Sequence, residues 1–277
     1  MSLLSNFKAP EGHMFIDFDY AQLEVRVLAL ATEDVNLIDD INSGRDMHTF
    51  FASKIFDAPE SAITKEQRKM AKGFSFQLQY GAGARSIAEH WDVDEELARR
   101  FLDEYYDRYA GVRSWQQTLM SRADESLVYA GDIDPETNES IPCCSIPSIW
   151  KDKNTGAPVT YYRVLAMKAK YSKTNDYIAP PTKVKNYPIQ GAASDIVTMM
   201  LHRLHKQSKH LTLLNTVHDS FLALVKIKNL EAGIDEGKAI LSSVPKVLKN
   251  SFMVNTPVPF PVDFTYGDTL EKVKQKG

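Results

Sequence analysis

Near its N-terminus the chain reads Asp19-Tyr20-Ala21-Gln22-Leu23-Glu24-Val25-Arg26, shortly after the apolar run Met14-Phe15-Ile16. The apolar run is typical of a buried strand, and the apolar residues at 23, 27 and 30 keep helical spacing. A carboxylate at the end of a strand, followed at once by a helix, is a common arrangement for holding a catalytic divalent metal ion. Asp19 is therefore a candidate metal ligand.

A second carboxylate of this kind lies far along the chain, in Val217-His218-Asp219-Ser220. The β-prone runs on its two sides predict a hairpin over residues 211–225 with His218 and Asp219 at the tip. Phosphoryl transfer to a hydroxyl commonly uses two metal ions about 3.5–4 Å apart, which two carboxylates can bridge. Taken singly, an aspartate such as Asp19 or Asp219 is more often a turn or cap residue than a metal ligand.

Between these carboxylates, Thr64-Lys65-Glu66-Gln67 has the form of a capping box and predicts a helix that runs to about residue 80. Four side chains spaced four residues apart share one broad face of this helix: Arg68, Lys72, Phe76 and Tyr80. The two cations suit a triphosphate, and the two aromatic rings suit a sugar and a base. The alternative is an amphipathic helix that buries its aromatic residues.

The remaining pattern predicts a mixture of helices and strands. Further helices are predicted over residues 47–56, 94–109, 112–127, 192–205 and 230–248, the last with Pro245 inside it. Residues 128–185 are predicted to form strands and loops, and residues 259–264 a final strand. The fold class that this predicts is α+β.

The composition is that of an ordinary globular protein: 277 residues, 43% hydrophobic and 25% charged. No apolar run approaches the ~18 residues that a membrane span needs, and no signal peptide begins the chain. We therefore expect no membrane partner and a cytoplasmic location, in the host cytoplasm if the protein is viral. The two cysteines, Cys143 and Cys144, are adjacent, which excludes a loop-closing disulfide and a four-ligand zinc site.

The net charge of −3 is unusual for a nucleic-acid enzyme, but the charges are unevenly distributed. Residues 151–209 hold 11 basic side chains against 3 acidic ones. Such a block can neutralise backbone phosphates. A lysine-rich solvated surface is the alternative. The basic residues are Lys151, Lys153, Arg163, Lys168, Lys170, Lys173, Lys183, Lys185, Arg203, Lys206 and Lys209.

These motifs resemble those of family A DNA polymerases, the bacterial polymerase I and phage replicase family. Residues 19–26 resemble the family's first polymerase motif, DYSQIELR; residues 68–81 resemble its fingers helix; and residues 217–220 resemble its third motif, VHDE. Further similarities are Phe7-Lys8-Ala9-Pro10-Glu11-Gly12, Asp46-Met47-His48, residues 105–112 and Asn186-Tyr187-Pro188-Ile189-Gln190-Gly191. The order of the motifs is also the family's, and the resemblance covers nearly all the chain except residues 128–182.

The resemblance implies a role for each matching residue. Asp19, Asp219 and the carbonyl of Tyr20 would bind two Mg²⁺ ions. The incoming dNTP would be held by Arg68, Lys72 and His48, with Lys72 also protonating the departing pyrophosphate, and the sugar and base by Phe76 and Tyr80. Glu24, hydrogen-bonded to Tyr80, would exclude a 2′-hydroxyl. The primer-template DNA would be contacted by Asn186 and Gln190 in the minor groove and by His218 at the primer end. Gln22 and Arg26 would support Asp19 and Glu24, with Gln22 near the nucleotide.

The resemblance also implies a right-hand polymerase architecture: a palm with an antiparallel sheet over residues 1–49 and 186–277, and a mainly helical fingers insertion over residues 50–185. Only 18 residues precede Asp19, so we expect the thumb to be absent and a thumb-bearing polypeptide to be needed for full activity. The chain departs from the family at Ser220, where Glu is usual, at Gln77, where Gly is usual, and at Ser75, where Asn is common.

Alternatives remain open at this point. A single-subunit RNA polymerase can carry His-Asp-Ser in its third motif, although Glu24 argues against the space that a ribonucleotide needs. The chain could instead be a polymerase-like module that binds DNA or a partner without catalysis. For single residues, Glu24 and His48 could be ordinary helix-surface residues, and Asn186 and Gln190 could be caps around Pro188.

Overall fold

The computed structural model describes residues 3–133, 140–168 and 177–274. Its strands are β1 His13–Tyr20, β2 Val128–Ile133, β3 Ser140–Pro147, β4 Tyr161–Leu165, β5 Met167–Lys168, β6 Tyr177–Ile178, β7 Leu211–Val217, β8 Ser220–Lys226 and β9 Val262–Gly267. Its helices are α1 Leu23–Thr32, α2 Val35–Asn42, α3 Met47–Ile55, α4 Lys65–Gln79, α5 Ala84–Trp91, α6 Glu95–Arg108, α7 Ala110–Glu125, α8 Pro181–Gln207, α9 Leu230–Leu241, α10 Val244–Phe252 and α11 Leu270–Lys274. Three short 3₁₀ turns lie at Leu3–Asn6, Glu60–Ala62 and Ile227–Asn229.

The chain divides into two compact units. The first comprises Met1–Val27 and Gly191–Gly277, and the second comprises Leu28–Gln190. The boundaries fall inside α1 and α8. Helices and antiparallel sheets occur together, which confirms the predicted α+β class. The division into palm and fingers at residues 49 and 185 stays a prediction.

The first unit is built on a four-stranded sheet with the order β7-β8-β1-β9, in which each neighbouring pair is antiparallel. The central strand β1 carries the fully buried Ile16 and Phe18. Helix α9 packs so close to this strand that a Cβ atom added at Gly237 would lie 2.3 Å from the Phe18 ring. The centre of the sheet is therefore closely packed. Strand β1 ends at Tyr20.

The second unit has an aromatic core between its helices. The Phe51 ring of α3 lies 5.5 Å from Phe101 and 5.4 Å from Tyr105, both of α6. Helix α4 packs against α5 at Gly73, where an added Cβ atom would lie 1.8 Å from the Trp91 ring. Gly73 is therefore required for α4 to approach α5 this closely.

A buried ion pair explains the motif at residues 105–112. The Asp40 side chain is 1% exposed and accepts hydrogen bonds from Arg108 Nε at 2.7 Å and from the Tyr109 hydroxyl at 2.7 Å. A second guanidinium nitrogen of Arg108 contacts the other carboxylate oxygen. The hydrogen bonds to the Asp40 carboxylate strongly raise the pKa of Arg108. Burial, and then the hydrogen bond to Asp40, strongly raise the pKa of Tyr109. These contacts fix the end of α6 against α2.

The region predicted as strands and loops forms a three-stranded sheet, β2-β3-β4, and a two-stranded sheet, β5-β6. Both cysteines are free and buried in β3, which agrees with the expectation of no disulfide. Burial raises the pKa of the Cys144 thiol. Lys170 and Lys173 of the predicted basic block lie outside the described residues.

Four helical features differ from the prediction. Helix α5 was not predicted. The predicted helical spacing of residues 23, 27 and 30 lies within α1, and a separate helix, α2, follows it, with Asp34 accepting hydrogen bonds from the backbone N–H groups of Asn36 and Leu37 at its start. The predicted helix 230–248 is two helices, because Pro245 lies in the first turn of α10. Helix α8 begins at Pro181 and contains the buried Pro188.

Candidate active site

The predicted site residues fall into two groups, one in each unit. The first unit holds Asp19, Tyr20, Gln22, Glu24, His218 and Asp219, and the second holds His48, Arg68, Lys72, Phe76, Tyr80, Asn186 and Gln190. The predicted hydrogen bond between Glu24 and Tyr80 joins the two groups and stays a prediction. Each group is described in turn.

The two candidate metal ligands lie on neighbouring strands. Asp19, near the end of β1, is directly opposite Ser220, the first residue of β8. Asp219 immediately precedes Ser220 in the hairpin turn, so the two aspartates are one residue out of direct register. Opposed Cα atoms of antiparallel strands lie about 4.5–5.5 Å apart and consecutive ones about 3.8 Å, which puts these two Cα atoms within about 10 Å. The structure therefore brings together two carboxylates that are distant in sequence.

Each aspartate lies beside a tight turn that contains a residue with left-handed backbone conformation. Gln22, between β1 and α1, has a φ of +55°, and His218, at the hairpin tip, has a φ of +55°. Such a conformation costs a non-glycine residue about 1–2 kcal/mol. The predicted two-residue hairpin tip is confirmed, since β7 ends at Val217 and β8 begins at Ser220. Gln22 and His218 are exposed, and Glu24 is half-buried in the first turn of α1.

Arg26 and Tyr20 fix the backbone around Asp19. The Arg26 side chain donates from Nε to the carbonyl of Ala21 and from Nη1 to the carbonyl of Pro259, each at 2.7 Å. Burial lowers the pKa of Arg26. The Tyr20 hydroxyl donates to the carbonyl of Leu241 at 2.8 Å, and burial strongly raises its pKa. Arg26 therefore holds the turn that follows Asp19, as expected of a supporting residue.

Sequence reasoning missed a third carboxylate, Asp17. It lies two residues before Asp19 on the same strand, so the two side chains share one face of the sheet. The Asp17 residue is 2% exposed. Burial raises the pKa of Asp219, and the charge of Asp17 raises it further, while His218 lowers it. The signal available in the sequence was a carboxylate at i−2 within an otherwise apolar run.

The donor set fits a hard divalent cation. Asp19 and Asp219 offer carboxylate oxygens, the ligand type that Mg²⁺ prefers. Both residues are half-buried, so a cation can reach them from solvent. A bound cation would also relieve the repulsion that raises the pKa of Asp219. Within the described ranges, no group of three or more His, Cys, Asp or Glu side chains is arranged to hold a metal.

In the second unit, α4 forms as the sequence predicts. Thr64 accepts from the backbone N–H of Gln67, and the Gln67 side chain accepts from the backbone N–H of Thr64, which confirms the capping box. Arg68 and Lys72 are exposed on this helix, whereas Phe76 is half-buried. The Lys72 ammonium lies 5.8 Å from the centre of the Phe76 ring. A cationic surface therefore borders an accessible aromatic ring.

Tyr80 follows α4 as its C-terminal cap and is half-buried. Its backbone N–H donates to the carbonyl of Phe76 at 3.2 Å. The next residue, Gly81, has a φ of +81° and ends the helix. The position of the Tyr80 backbone is therefore set by the end of α4.

His48 lies in the first turn of α3 and is 7% exposed. Its Nδ1 atom is buried and has no hydrogen-bond partner among the described residues. Burial lowers the pKa of His48 to about 4; the charges of Arg68 and Lys72 also lower it, and the charge of Asp46 opposes them. The three residues predicted to hold a triphosphate thus lie within electrostatic reach of one another, and His48 is buried, not the ordinary helix-surface residue of the alternative.

Asn186 and Gln190 lie inside α8, so the alternative that they cap a turn around Pro188 is wrong. Pro188 cannot donate a hydrogen bond to the carbonyl four residues earlier, and its burial keeps it within the helix. The Asn186 Oδ1 atom is buried without a hydrogen-bond partner among the described residues. Gln190 is exposed. The contacts of both with DNA stay predictions.

The described helices contain no segment long and apolar enough to cross a bilayer. In the basic block, Lys151, Lys153, Arg163, Lys168 and Lys183 are exposed in the second unit, and Lys206 and Lys209 are exposed in the first. The exposed cations are compatible with either a phosphate-binding or a merely solvated surface.

Comparison with known proteins gives consistent results. Residues 3–134 match the model of DNA polymerase family A. The chain is 27% identical to DNA polymerase I of Geobacillus stearothermophilus over 92% of this chain and 26% of that protein. It is 25% identical to DNA polymerase I of Aquifex aeolicus over 91% of this chain and 38% of that protein. The chain thus spans between about a quarter and two fifths of the length of these relatives.

The fold agrees with a solved structure, the POL domain of Pol1 from M. smegmatis in complex with DNA primer-template and dNTP. The TM-score is 0.72 at 23% identity, and the alignment covers 98% of this chain and 42% of that chain. This similarity shows the fold, and the sequence comparisons show the relationship. Residues 3–134 of this chain therefore belong to DNA polymerase family A.

Proposed function

We propose that this chain carries the nucleotidyl-transfer site of a template-directed DNA polymerase. The observation that carries the proposal is the pairing of β1 with β8, which places Asp19 and Asp219 together at one end of the sheet. In this reaction the primer 3′-oxygen forms a bond to the α-phosphorus of a dNTP, the bond from that phosphorus to the β-phosphate oxygen breaks, and pyrophosphate leaves. The four-stranded sheet would serve as the palm and the helical unit as the fingers.

The first unit supplies the proposed metal-binding residues. Asp19, Asp219 and the carbonyl of Tyr20 would hold two Mg²⁺ ions. When bound, such ions activate the primer hydroxyl and neutralise charge on the pyrophosphate. His218 would lie at the primer end. Ser220, opposite Asp19, leaves the pair without the carboxylate that the family usually has at that position.

The second unit supplies the proposed nucleotide-binding residues. Arg68 and Lys72 would bind the triphosphate as cations, and Lys72 would donate a proton to the leaving pyrophosphate. His48 is neutral near pH 7, because its pKa is about 4, so it would act through hydrogen bonding and not through charge. Phe76 would pack against the sugar and Tyr80 near the new base pair.

The remaining roles concern selectivity and DNA. We propose that Glu24 excludes a 2′-hydroxyl, with Gln22 beside it, and that Asn186 and Gln190 contact the minor groove of the primer-template. The Oδ1 atom of Asn186 is buried and has no hydrogen-bond partner in the described ranges, which supports a role in binding, since such an atom is costly unless a ligand satisfies it. Glu24→Ala should raise the use of ribonucleotides relative to deoxynucleotides. Unchanged sugar selectivity would exclude that role.

A primer-extension assay with Mg²⁺ tests the function. The wild-type chain is compared with Asp19→Ala and Asp219→Ala, each of which should lower the rate at least about a hundredfold, as is typical for loss of a preorganised charged group. Equal rates in all three proteins would refute the proposed roles. Deoxynucleotides are compared with ribonucleotides in the same assay, because a preference for ribonucleotides would favour an RNA polymerase.

The assay is run with and without a thumb-bearing polypeptide from a relative. The expectation that such a partner assists this chain stays a prediction, and stronger extension in its presence would support it. Extension that stays absent in both arms, with DNA binding intact, would support the alternative of a non-catalytic module.

A further inference from the structure

Asp46 connects the two helices that carry the proposed triphosphate ligands. It precedes α3, and its Oδ1 accepts from the backbone N–H of Thr49 at 3.3 Å, while its Oδ2 accepts from the Thr49 hydroxyl at 2.7 Å. The same Oδ2 accepts from Arg68 Nε of α4 at 2.6 Å. A single carboxylate therefore fixes the start of the helix that bears His48 and also holds the side chain of Arg68.

The contribution of this ion pair to folding is small. Its side chains are 47% and 42% exposed for Arg68 and Asp46. Pairs as exposed as this contribute little to stability, because water screens the charges and two side chains lose freedom. The hydrogen bonds from Arg68 and Thr49 nonetheless hold the pKa of Asp46 at about 2 against the opposing effect of burial, so the carboxylate is ionised near neutral pH. The Asp46 carboxylate therefore stays charged, but the ion pair is not a major source of stability.

The Arg68 atom that contacts Asp46 indicates whether Asp46 supports phosphate binding by Arg68 or competes with it. A carboxylate that competes with a phosphate for a guanidinium normally takes two nitrogens of its fork at once. Here the contact is made by Nε, at the base of the fork. The terminal nitrogens lie beyond it and make no hydrogen bond within the described part of the chain, so their N–H donors can bind another anion.

The neighbouring groups indicate that this anion is a phosphate chain. The charges of Arg68 and Lys72 both act on His48, whose Nδ1 is buried with no partner among the described residues. Arg68 and Lys72 are thus close enough to act on the same ring, and Asp46 holds the first of these cations in place. A compact polyanion would neutralise both cations.

We propose that Asp46 is a positioning residue for triphosphate binding, which holds Arg68 through Nε so that its terminal nitrogens face the incoming nucleotide. This inference rests on the proposed function and deepens it, since Asp46 itself touches neither substrate nor metal. Its effect depends on one atom of Arg68, and a lysine at position 68 has no equivalent of that atom.

The test is a double-substitution cycle on the full chain. Asp46→Asn keeps an acceptor for the cap of α3 but removes the charge. Arg68→Lys keeps a cation but removes Nε. The matched control is Asp94→Asn at the start of α6, where Asp94 accepts from the backbone N–H of Glu96 at 2.7 Å. Binding of dATP, inorganic tripolyphosphate and 2′-deoxyadenosine is measured by calorimetry, and folding is measured by thermal unfolding.

Asp46→Asn should weaken the binding of both dATP and tripolyphosphate about tenfold, or about 1.4 kcal/mol, while leaving 2′-deoxyadenosine unchanged. In the Arg68→Lys background the same substitution should have no further effect. Asp94→Asn should bind as the wild type does, and all unfolding temperatures should stay close. A purely structural role would lower the unfolding temperature and persist in the Arg68→Lys background.

The possible failures are distinguishable. If the wild type binds tripolyphosphate and Asp46→Asn binds it equally well or more tightly, the positioning role is refuted while the proposed function stands. If Asp46→Asn weakens binding equally in both backgrounds, the Nε contact is not the cause and the inference is again refuted. If the wild type binds neither dATP nor tripolyphosphate, the proposed nucleotide site fails and this inference fails with it.

Discussion

The most quantitative prediction concerns the protonation of His48. Its pKa is lowered to about 4, first by burial and then by the positive charges of Arg68 and Lys72. In the unfolded chain a histidine has a pKa of about 6.5. The unfolded chain therefore binds a proton at a higher pH than the folded chain, so acid favours unfolding. This contribution to stability is fully present above about pH 6.5 and is lost as the pH falls toward 4.

The magnitude follows from the difference between the two pKa values. Each unit corresponds to about 1.4 kcal/mol, so the full effect is about 3 kcal/mol below pH 4 and about 2 kcal/mol at pH 5. Carboxylates also titrate in this range, and a His48→Gln variant separates their contribution. Between pH 7.5 and pH 5, the wild type should lose about 2 kcal/mol more unfolding free energy than the variant.

Two measurements check this. Urea unfolding at both pH values gives the difference in free energy, and an NMR titration of the His48 ring gives the pKa directly, with the signal identified by its absence in His48→Gln. A pKa near 6.5, or an equal pH dependence in the two proteins, would refute the reasoning. It would mean that His48 is accessible to water and lies outside the field of the cations on α4.

Three further predictions concern packing and conformation. Gly73→Ala should destabilise the chain by about 1–3 kcal/mol or more in urea unfolding, because its methyl group overlaps the Trp91 ring. Gly83→Ala, with no atom within 4 Å of the added Cβ, should cost less, at most about 1 kcal/mol, which is the effect of alanine at the N-terminal cap of α5. Asp40→Ala should cost about 3–5 kcal/mol, because it leaves a partly buried guanidinium and a buried hydroxyl without their acceptor; a loss under about 0.5 kcal/mol would contradict the ion pair. His218→Gly should stabilise the hairpin by up to about 1 kcal/mol, because the residue has a φ of +55°, and a clear loss of stability would show that the histidine side chain packs in the fold.

Local signals in the sequence were sufficient for two of the elements that carry the candidate site, helix α4 and the β7-β8 hairpin. The capping box predicted the start of α4. The four-residue spacing of Arg68, Lys72, Phe76 and Tyr80 could therefore be assigned to one face of that helix. The two β-prone runs around His218 and Asp219 were sufficient for the hairpin. These features depend on residues close together in the chain, where propensity and turn chemistry decide the outcome.

The missed features depend on tertiary contacts. Helix α5 is 8 residues long and follows Gly83, so its short pattern did not stand out from a loop. Helix α8 continues through Pro188 because burial offsets the lost hydrogen bond. The contact of Asp46 with Arg68 joins residues 22 apart, and the effect of Asp17 on Asp219 arises only when β1 and β8 pair. No local pattern encodes such contacts.

The central claim is that Asp19 and Asp219 jointly hold a divalent cation. Titration of the full chain with Mn²⁺, followed by electron paramagnetic resonance, measures this without requiring catalysis. The control is Asp268→Asn, an exposed aspartate next to Gly267, which pairs with Phe15 toward the other end of β1. Asp19→Asn and Asp219→Asn should each weaken Mn²⁺ binding at least about tenfold, and their combination should cost less than the sum of the two, because both act on the same ions. Binding of Mn²⁺ that is equally tight in the wild type, the two single variants and the double variant would contradict the claim.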